Sequence, residues 1–463
     1  MELHRENRRR LLEFFKPEDG VPANTMIVLE GGHAETRHDS DHELLFRQES
    51  WFQWVFGVRE PDCFGAIHVD TGRSILFIPR LPAEYAIWMG HIPTPDDFKA
   101  KYEVDEAFYV DEMEATFKEM SPSRVYVNSG LCSDSGATAH SADFPGRSEY
   151  DVDSDRLFLA MTECRVIKAP LELDIMRFAC IASSEAHLAL MSHARPGLRE
   201  FQLESLFKHW VYYHGGCRNV AYTCICATGD NASVLHYGHA GAPNDRLIND
   251  GDMCLFDLGG EFHCYASDIT CSFPVNGKFT DDQRLVYSAV LASQDAVLDA
   301  LKPGVSWVDM HALSYRAALT VLRDGGLLTG DIDDMMAANL GSVFMPHGLG
   351  HFLGLDTHDV GGYPAEFERL TEAGFKSLRT VRTLRENMVI TVEPGVYFVK
   401  HLLDSALANP AQSGFINTDV LERFRGTGGV RLEDDIRITS DGFENLTWCP
   451  RRIEDVEAAC AGK

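Results

Sequence analysis

Met253–Phe273 reads MCLFDLGGEFHCYASDITCSF, two strand-like apolar runs, Met253–Leu258 and His263–Phe273, around a pair of glycines. Asp257 lies inside the first run, where an unpaired carboxylate is costly to bury. In the second run the two-residue strand period puts Asp268, Thr270 and Ser272 on one face. A hairpin centred between Phe262 and His263 sets Asp257 directly opposite Asp268, whereas a turn at Gly259-Gly260 breaks that register. Carboxylates that face each other repel unless something positive lies between them. A metal ion, an arginine or open solvent each meets that need.

Three further segments bear on the choice. In GVRLEDDIRI, Gly429–Ile438, strand alternation puts Val430, Leu432, Ile436 and Ile438 on one face, and Arg431, Glu433, Asp435 and Arg437 on the other. MPHGLGHFLGLDTHDVGG, Met345–Gly362, carries His347, His351 and His358 among glycines and few charges. Glycine lets backbone and ligand approach closely, and histidine is the commonest metal ligand. MVITVEPGVYF, Met388–Phe398, places Glu393 at the end of an apolar strand.

The surroundings alternate helix and strand. Pro170 suits a first helical position, with Glu172 and Asp174 complementing the dipole and Ile175, Phe178, Ala182, Ala186 and Ala189 at helical spacing. Glu200–His214 repeats Leu203, Leu206, Phe207 and Trp210 in the same period, and Val220–Cys226 reads as a strand. Thr280 with Gln283 forms a capping box for a helix through Leu301, and Ser306 with Asp309 opens the next, ended by Gly325-Gly326. Before residue 160 short strand-like runs (Met26–Leu29, Ser74–Ile78, Arg124–Val127) carry no such chemistry. The change of pattern puts a boundary near 160–168, with domains at 1–165 and 166–463, and the fold class is mixed α/β (α+β).

Lysine plus arginine number 42 and aspartate plus glutamate 70 among 463 residues, a net charge of −28. That sign repels phosphate backbones and anionic lipid, so nucleic-acid and membrane-surface partners are not expected, while divalent cations are welcome where carboxylates converge. No run approaches the roughly 18 apolar residues of a membrane helix. The twelve cysteines contain no C-x-x-C pair and fall below disulfide-framework density. Glu2, Glu6 and Glu13 argue against a transit peptide, so a cytoplasmic location is expected.

LHYGHAGAPNDR (Leu235–Arg246), FDLGGEFHCYASDIT (Phe256–Thr270), MPHGLGH, TVEPG (Thr391–Gly395) and GVRLEDD follow one another as in the eukaryotic-type prolidases. These are Xaa-Pro dipeptidases of the pita-bread metallopeptidase family. The resemblance extends to FRQESWFQWVFG, Phe46–Gly57, and so covers nearly the whole chain. It implies a creatinase/aminopeptidase P-like N-terminal domain ahead of a pita-bread catalytic domain, and a two-metal site. Asp257 resembles the chelating aspartate, Asp268 and Glu433 the bridging carboxylates, and His351 and Glu393 the ligands of the other ion. Four carboxylates then face two divalent cations, a neutral balance, and the oxygen-rich set favours hard ions such as Mn(II), with Fe(II) and Co(II) close in kind. A hydroxide held between the ions would attack the carbonyl before a C-terminal proline or hydroxyproline.

The resemblance gives Glu393 a proton-handling role and His358, with His347 as second candidate, the developing oxyanion. His236 and Arg379, with Arg431 nearby, match positions that read the free carboxylate, and Tyr222 is a pocket wall or hydrogen-bond donor. Arg431 is equally a partner of Glu433. Trp88, in YAIWMGHI, resembles a tryptophan that reaches toward the partner's site in a homodimer. Aminopeptidase P and organophosphorus-anhydride hydrolases share this fold and are the nearest rivals. Creatinase dispenses with the metal ligands and fits less well, and a non-catalytic pita-bread scaffold is the rival of another class.

Overall fold

The computed structural model describes residues 1–16 and 19–462, in two compact units, Met1–Leu171 and Glu172–Lys463. The first is built on a six-stranded sheet of β1 (Thr25–Glu30), β2 (Phe64–His68), β3 (Arg73–Ile78), β4 (Glu106–Tyr109), β5 (Arg124–Val127) and β6 (Val152–Asp153), ordered β4-β3-β2-β1-β5-β6. β1, β2 and β3 pair antiparallel, and β4, β5 and β6 join in parallel. Met26, Val28, Ile75, Phe77 and Val125 pack with Phe117 and Phe144 as its core. The short helix Tyr85–Met89 buries none of its residues, and Trp88 is 82% exposed.

Helix α1, Pro170–His193, begun by proline as expected, supplies the first helix of the second unit from Glu172 onward. Its buried side includes Leu173, Met176, Ala182, Ala186 and Leu190; Phe178, expected on that side, is instead exposed and packs its ring on Phe262. Helix α2 is Glu200–Gly215, α3 is Asp281–Ala300 with the Thr280–Gln283 capping box, and α4 is Trp307–Asp324 capped by Ser306.

The strands of this unit are shorter than the sequence pattern and break where the acidic residues stand. Val220–Cys226 is not one strand: Asn219–Val220 pairs elsewhere, and β7 is Ile225–Thr228. β8 (Met253–Asp257) runs between β7 and β9 (Thr270–Pro274), both antiparallel to it. Asp257 faces Thr270, so the hairpin register is two residues away from the one that would set it opposite Asp268. The cause is a turn with His263 and Cys264 at φ 50° and 67°, between short strands that leave the main ladder.

The expected strand Val430–Ile438 is likewise two. β12 (Gly429–Arg431) pairs with β11 (Gly395–Tyr397), and β13 (Asp434–Ile438) pairs with β10 (Val389–Val392). Glu393-Pro394 and Leu432-Glu433 fill the gaps between the two ladders. Proline has no N–H to give to a ladder, so the interruption falls there. The gap is bridged from outside: Leu432 N–H donates to Pro394 O (3.2 Å) and Glu433 N–H to Thr270 O (3.1 Å), which joins the two hairpins. The glycine-rich segment lies along β10, with Thr391 N–H donating to His351 O and Glu393 N–H to Leu349 O. Gly350 is required in this approach, because a Cβ there would lie 1.9 Å from Thr391 O.

No helix among the described residues is long and apolar enough to cross a membrane, and none of the twelve cysteines is in a disulfide. On the outer side of β13, Glu444 accepts from Arg177 of α1 (2.6 Å) and Arg437 (2.8 Å). The Arg177 hydrogen bond, and then Arg437, hold the Glu444 carboxyl down to about 2. A carboxylate depressed in the folded state stabilises above its unfolded value and loses that contribution as pH falls through the folded one. Glu444→Gln should therefore cost about 1–2 kcal/mol at neutral pH after allowance for solvent screening. In chemical denaturation the difference from wild type should shrink between roughly pH 4.5 and 2. A difference that stays constant over that range overturns the assignment.

Candidate metal centre

Each acidic residue at the strand breaks is held by a neighbour on another element. Asp257, at the end of β8, accepts from the Tyr222 hydroxyl at Oδ1 (2.5 Å) and from Arg431 Nη2 at Oδ2 (2.6 Å). Arg431 is buried and also donates through Nε to Thr270 Oγ1 (3.0 Å) and through Nη1 to the Tyr397 hydroxyl (2.8 Å). Thr270 in turn donates to Glu433 Oε2 (2.6 Å). One guanidinium thus ties two strand ends and a tyrosine together, with charge-assisted bonds at Asp257.

His351 comes from the other side. Its Nδ1 lies 3.0 Å from Phe352 O, and its Nε2 lies 3.3 Å from Asp268 Oδ2 and 3.6 Å from Glu393 Oε1. Nδ1 donating to a carbonyl leaves Nε2 as the free lone pair, the arrangement in which a histidine ligates metal. Among the described residues, one group of three has donor atoms all within 4.8 Å of one another: Asp268, His351 and Glu433, all buried. Glu393 adjoins it through His351, and Asp257 through the charges it exerts on Asp268, Glu433 and Glu393.

Those charges decide the electrostatics. Burial and then Asp257 push the Asp268 carboxyl well above its usual value. Burial, then Asp268, Glu393 and Asp257, do the same to Glu433. Burial raises Glu393 to about 7, His351 and Arg431 opposing. One buried arginine does not offset four carboxylates, and the pocket resists ionisation unless more positive charge enters. Hard oxygen donors, one imidazole and a deficit of positive charge fit divalent cations. Of the five residues expected as ligands, Asp268, His351 and Glu433 converge in this group, Glu393 stands 3.6 Å from His351, and Asp257 lies outside the group.

Of the remaining expected residues, His347 and His358 lie beside this centre. His347 bonds through Nε2 to the Tyr397 hydroxyl (2.9 Å) and through Nδ1 to Gly348 O (2.7 Å), and burial, then Arg431, push it down to about 3. His358 packs edge-on against His351, ring centroids 4.5 Å apart. Part of it reaches solvent, yet desolvation of the ring, and then His351, Arg379 and His236, hold it down to about 2. His236 is exposed and acts on both His347 and His358, and Arg379 is half-buried. Trp88 belongs to the first unit.

Tyr397 and Arg451 had no place in the sequence reading, and Thr270 and Asp435 entered it only as neighbours on a strand face. Asp435, fully buried, accepts from the Asp268 N–H (3.0 Å) and Cys180 Sγ (3.1 Å). Arg451 donates to Thr270 O (2.9 Å), Glu433 O (2.5 Å) and Asp434 (2.7 Å), and so stitches the same strand junction from behind. Strand alternation did place Asp435 beside Glu433, but Arg451 comes from a distant segment and carried no signal.

Residues 174–440 match the model of metallopeptidase family M24, and residues 4–126 that of the aminopeptidase P N-terminal domain. The chain is 54% identical to human Xaa-Pro dipeptidase over 98% of its own length and 92% of the relative's. It is 38% identical to a probable Xaa-Pro aminopeptidase of Verticillium alfalfae, covering 94% and 92%. Among solved structures, zinc-substituted Escherichia coli aminopeptidase P in complex with product superposes with a TM-score of 0.77 at 28% identity, over 100% of this chain and 98% of that one. Pseudomonas aeruginosa aminopeptidase PepP gives 0.78 at 30% identity, over 99% and 97%. With the peptidase model spanning more than half of its residues and the pita-bread fold around a buried carboxylate centre, the chain belongs to metallopeptidase family M24.

Proposed function

We propose that this chain is a Xaa-Pro dipeptidase, cleaving dipeptides with C-terminal proline or hydroxyproline. Asp257, Asp268, His351, Glu393 and Glu433 would hold two divalent cations, Mn(II) by preference. The observation that carries the reading is the convergence of Asp268, His351 and Glu433, flanked by Asp257 and Glu393, on one buried centre. When bound, such a pair acidifies water and polarises the scissile carbonyl.

The chain's own residues do the rest. Glu393, as its resemblance to the family position implies, takes a proton at its carboxylate and returns it to the leaving imino nitrogen. His358, neutral because its pKa is held low, donates a hydrogen bond to the carbonyl oxygen as charge develops there. His347 has both ring nitrogens engaged and keeps Tyr397 in place. Tyr222 and Arg431 fix the two oxygens of Asp257. Reading the substrate's free carboxylate falls to His236 and Arg379, whose charges act on His358.

The fungal relatives and the aligned structures include aminopeptidases, which favours a second reading, removal of a residue from longer Xaa-Pro peptides. Gly-Pro and Gly-Pro-Ala, assayed with and without added Mn(II), separate the two: the dipeptide should be the better substrate. Arg379→Ala should then lower kcat/KM for Gly-Pro by about tenfold to a hundredfold, the worth of one charged hydrogen bond, with metal content unchanged. Equal losses on Gly-Pro and its C-terminal amide would take carboxylate reading away from Arg379.

Asp257→Asn removes one of four carboxylates and should abolish turnover and bring metal below two ions per chain, while circular dichroism stays native. Two ions per chain in that variant, by elemental analysis, would remove Asp257 from the ligand set. The exposed Trp88 supports a homodimer in which the first unit of one chain caps the partner's centre. Trp88→Ala should lower activity without metal loss, and mixing it with Asp257→Asn chains should restore part of it. No recovery in mixed dimers verified by mass spectrometry would retire the trans cap.

A further inference from the structure

The segment between β7 and β8 contains no helix or strand beyond the 3-10 turn Gly229–Ser233, yet it carries His236. Something must hold it, because a substrate contact on an unsupported loop loses affinity to the cost of ordering it. The support comes from the first turn of α2. Glu200 is wholly buried and its two oxygens accept five hydrogen bonds. Oε1 takes the Thr228 N–H (2.9 Å), the Thr228 hydroxyl (2.6 Å) and Asn231 Nδ2 (3.3 Å). Oε2 takes the Tyr237 hydroxyl (2.7 Å) and the Arg246 N–H (3.3 Å). The carboxylate therefore grips the loop at its start, beside His236, and at its end. Its neighbour one turn along, Glu204, accepts from Asn244 (2.8 Å), whose side chain also bonds Cys224 O and Cys226 N–H.

The Tyr237 ring is buried in a cluster with Leu255, Ala227 and Tyr397, the last being the tyrosine that bonds Arg431 and His347. Adjacent residues in this loop thus face two ways, Tyr237 into the packed wall of the centre and His236 toward solvent and its histidines. We propose that Glu200 is a positioning residue for substrate recognition, acting through Tyr237 to fix His236 where it meets the substrate's free carboxylate. The inference rests on the dipeptidase reading, and adds to it the element that makes carboxylate recognition by a loop histidine rigid. A carboxylate suits the task because five donors converge on it; an amide would present N–H groups to some of them.

The test uses the metal-loaded enzyme with Gly-Pro and Gly-Pro amide, and the variants Tyr237→Phe, Glu200→Gln, His236→Ala and Tyr237→Phe/His236→Ala. Tyr237→Phe deletes one hydroxyl and keeps the ring, so it remains informative if Glu200→Gln fails to fold. Tyr237→Phe should raise KM for Gly-Pro about tenfold, the worth of one hydrogen bond to a charged group, with kcat and metal content held and the amide little affected. In the His236→Ala background the same change should add nothing, because the residue it positions is gone. Additive effects of the two changes would make Glu200 a general support and overturn the proposal, as would an unchanged KM in Tyr237→Phe. If His236→Ala alone leaves KM for Gly-Pro unchanged, the assignment of His236 as a substrate contact falls first and the proposal with it. Wild-type enzyme inactive on Gly-Pro would instead overturn the dipeptidase reading itself.

Discussion

Four carboxylates share one buried pocket, and their mutual repulsion is the constraint to which the surrounding structure answers. Like charges brought together out of water raise one another's pKa, and Asp268, Glu433 and Glu393 all show that push. The protein's own answer is partial. A single buried guanidinium reaches Asp257, and neutral hydroxyls add to it, Tyr222 at Asp257 and Thr270 at Glu433, while Asp268 is held by its backbone N–H, which donates to Asp435. Neutral donors orient carboxylates without cancelling their charge, so the oxygens stay in place and remain attractive to cations.

The broken strands follow from the same need. A carboxylate in an unbroken ladder points to one face of a sheet at a height set by the pleat. Four that must converge from different strands need the chain to turn out of register at each. Proline after Glu393 ends one ladder, and the paired strand breaks opposite it at Leu432-Glu433, where Thr270 O receives the freed N–H. The hydrogen bonds lost at the gap are replaced across it, which keeps a buried interruption from leaving backbone groups unpaired.

This logic explains what could and could not be read from the sequence. The helix starts were legible because their signals are local: Pro170, the Thr280–Gln283 box and the Ser306 cap each act within one turn. The acidic and histidine residues of the centre were legible through their motifs, and alternation correctly set charge beside Glu433. The hairpin register was not, because the turn at His263-Cys264 uses left-handed conformations that those residue types do not announce. Val430–Ile438 read as one strand since its alternation runs unbroken through Leu432, and only pairing with two separate partners divides it. Glu200 and Arg451 were invisible for a related reason. Each does its work on residues that lie far from it in the chain, Glu200 with Arg246 and Arg451 with Thr270.

The file of hydrogen bonds from Arg431 to Tyr397 to His347 to Gly348 O runs in one direction only. An arginine can never accept, so it must give its proton to Tyr397; the tyrosine's single hydrogen then goes to Nε2, and the imidazole's to the carbonyl. The opposite ordering of hydrogens is excluded at the first link. Unlike a row of waters, which can reverse its polarity, this file is frozen in one sense, a dipole array with its orientation set at folding. Its field at the pocket wall is thus already aligned when a substrate arrives, and none of the reaction's free energy goes into turning it.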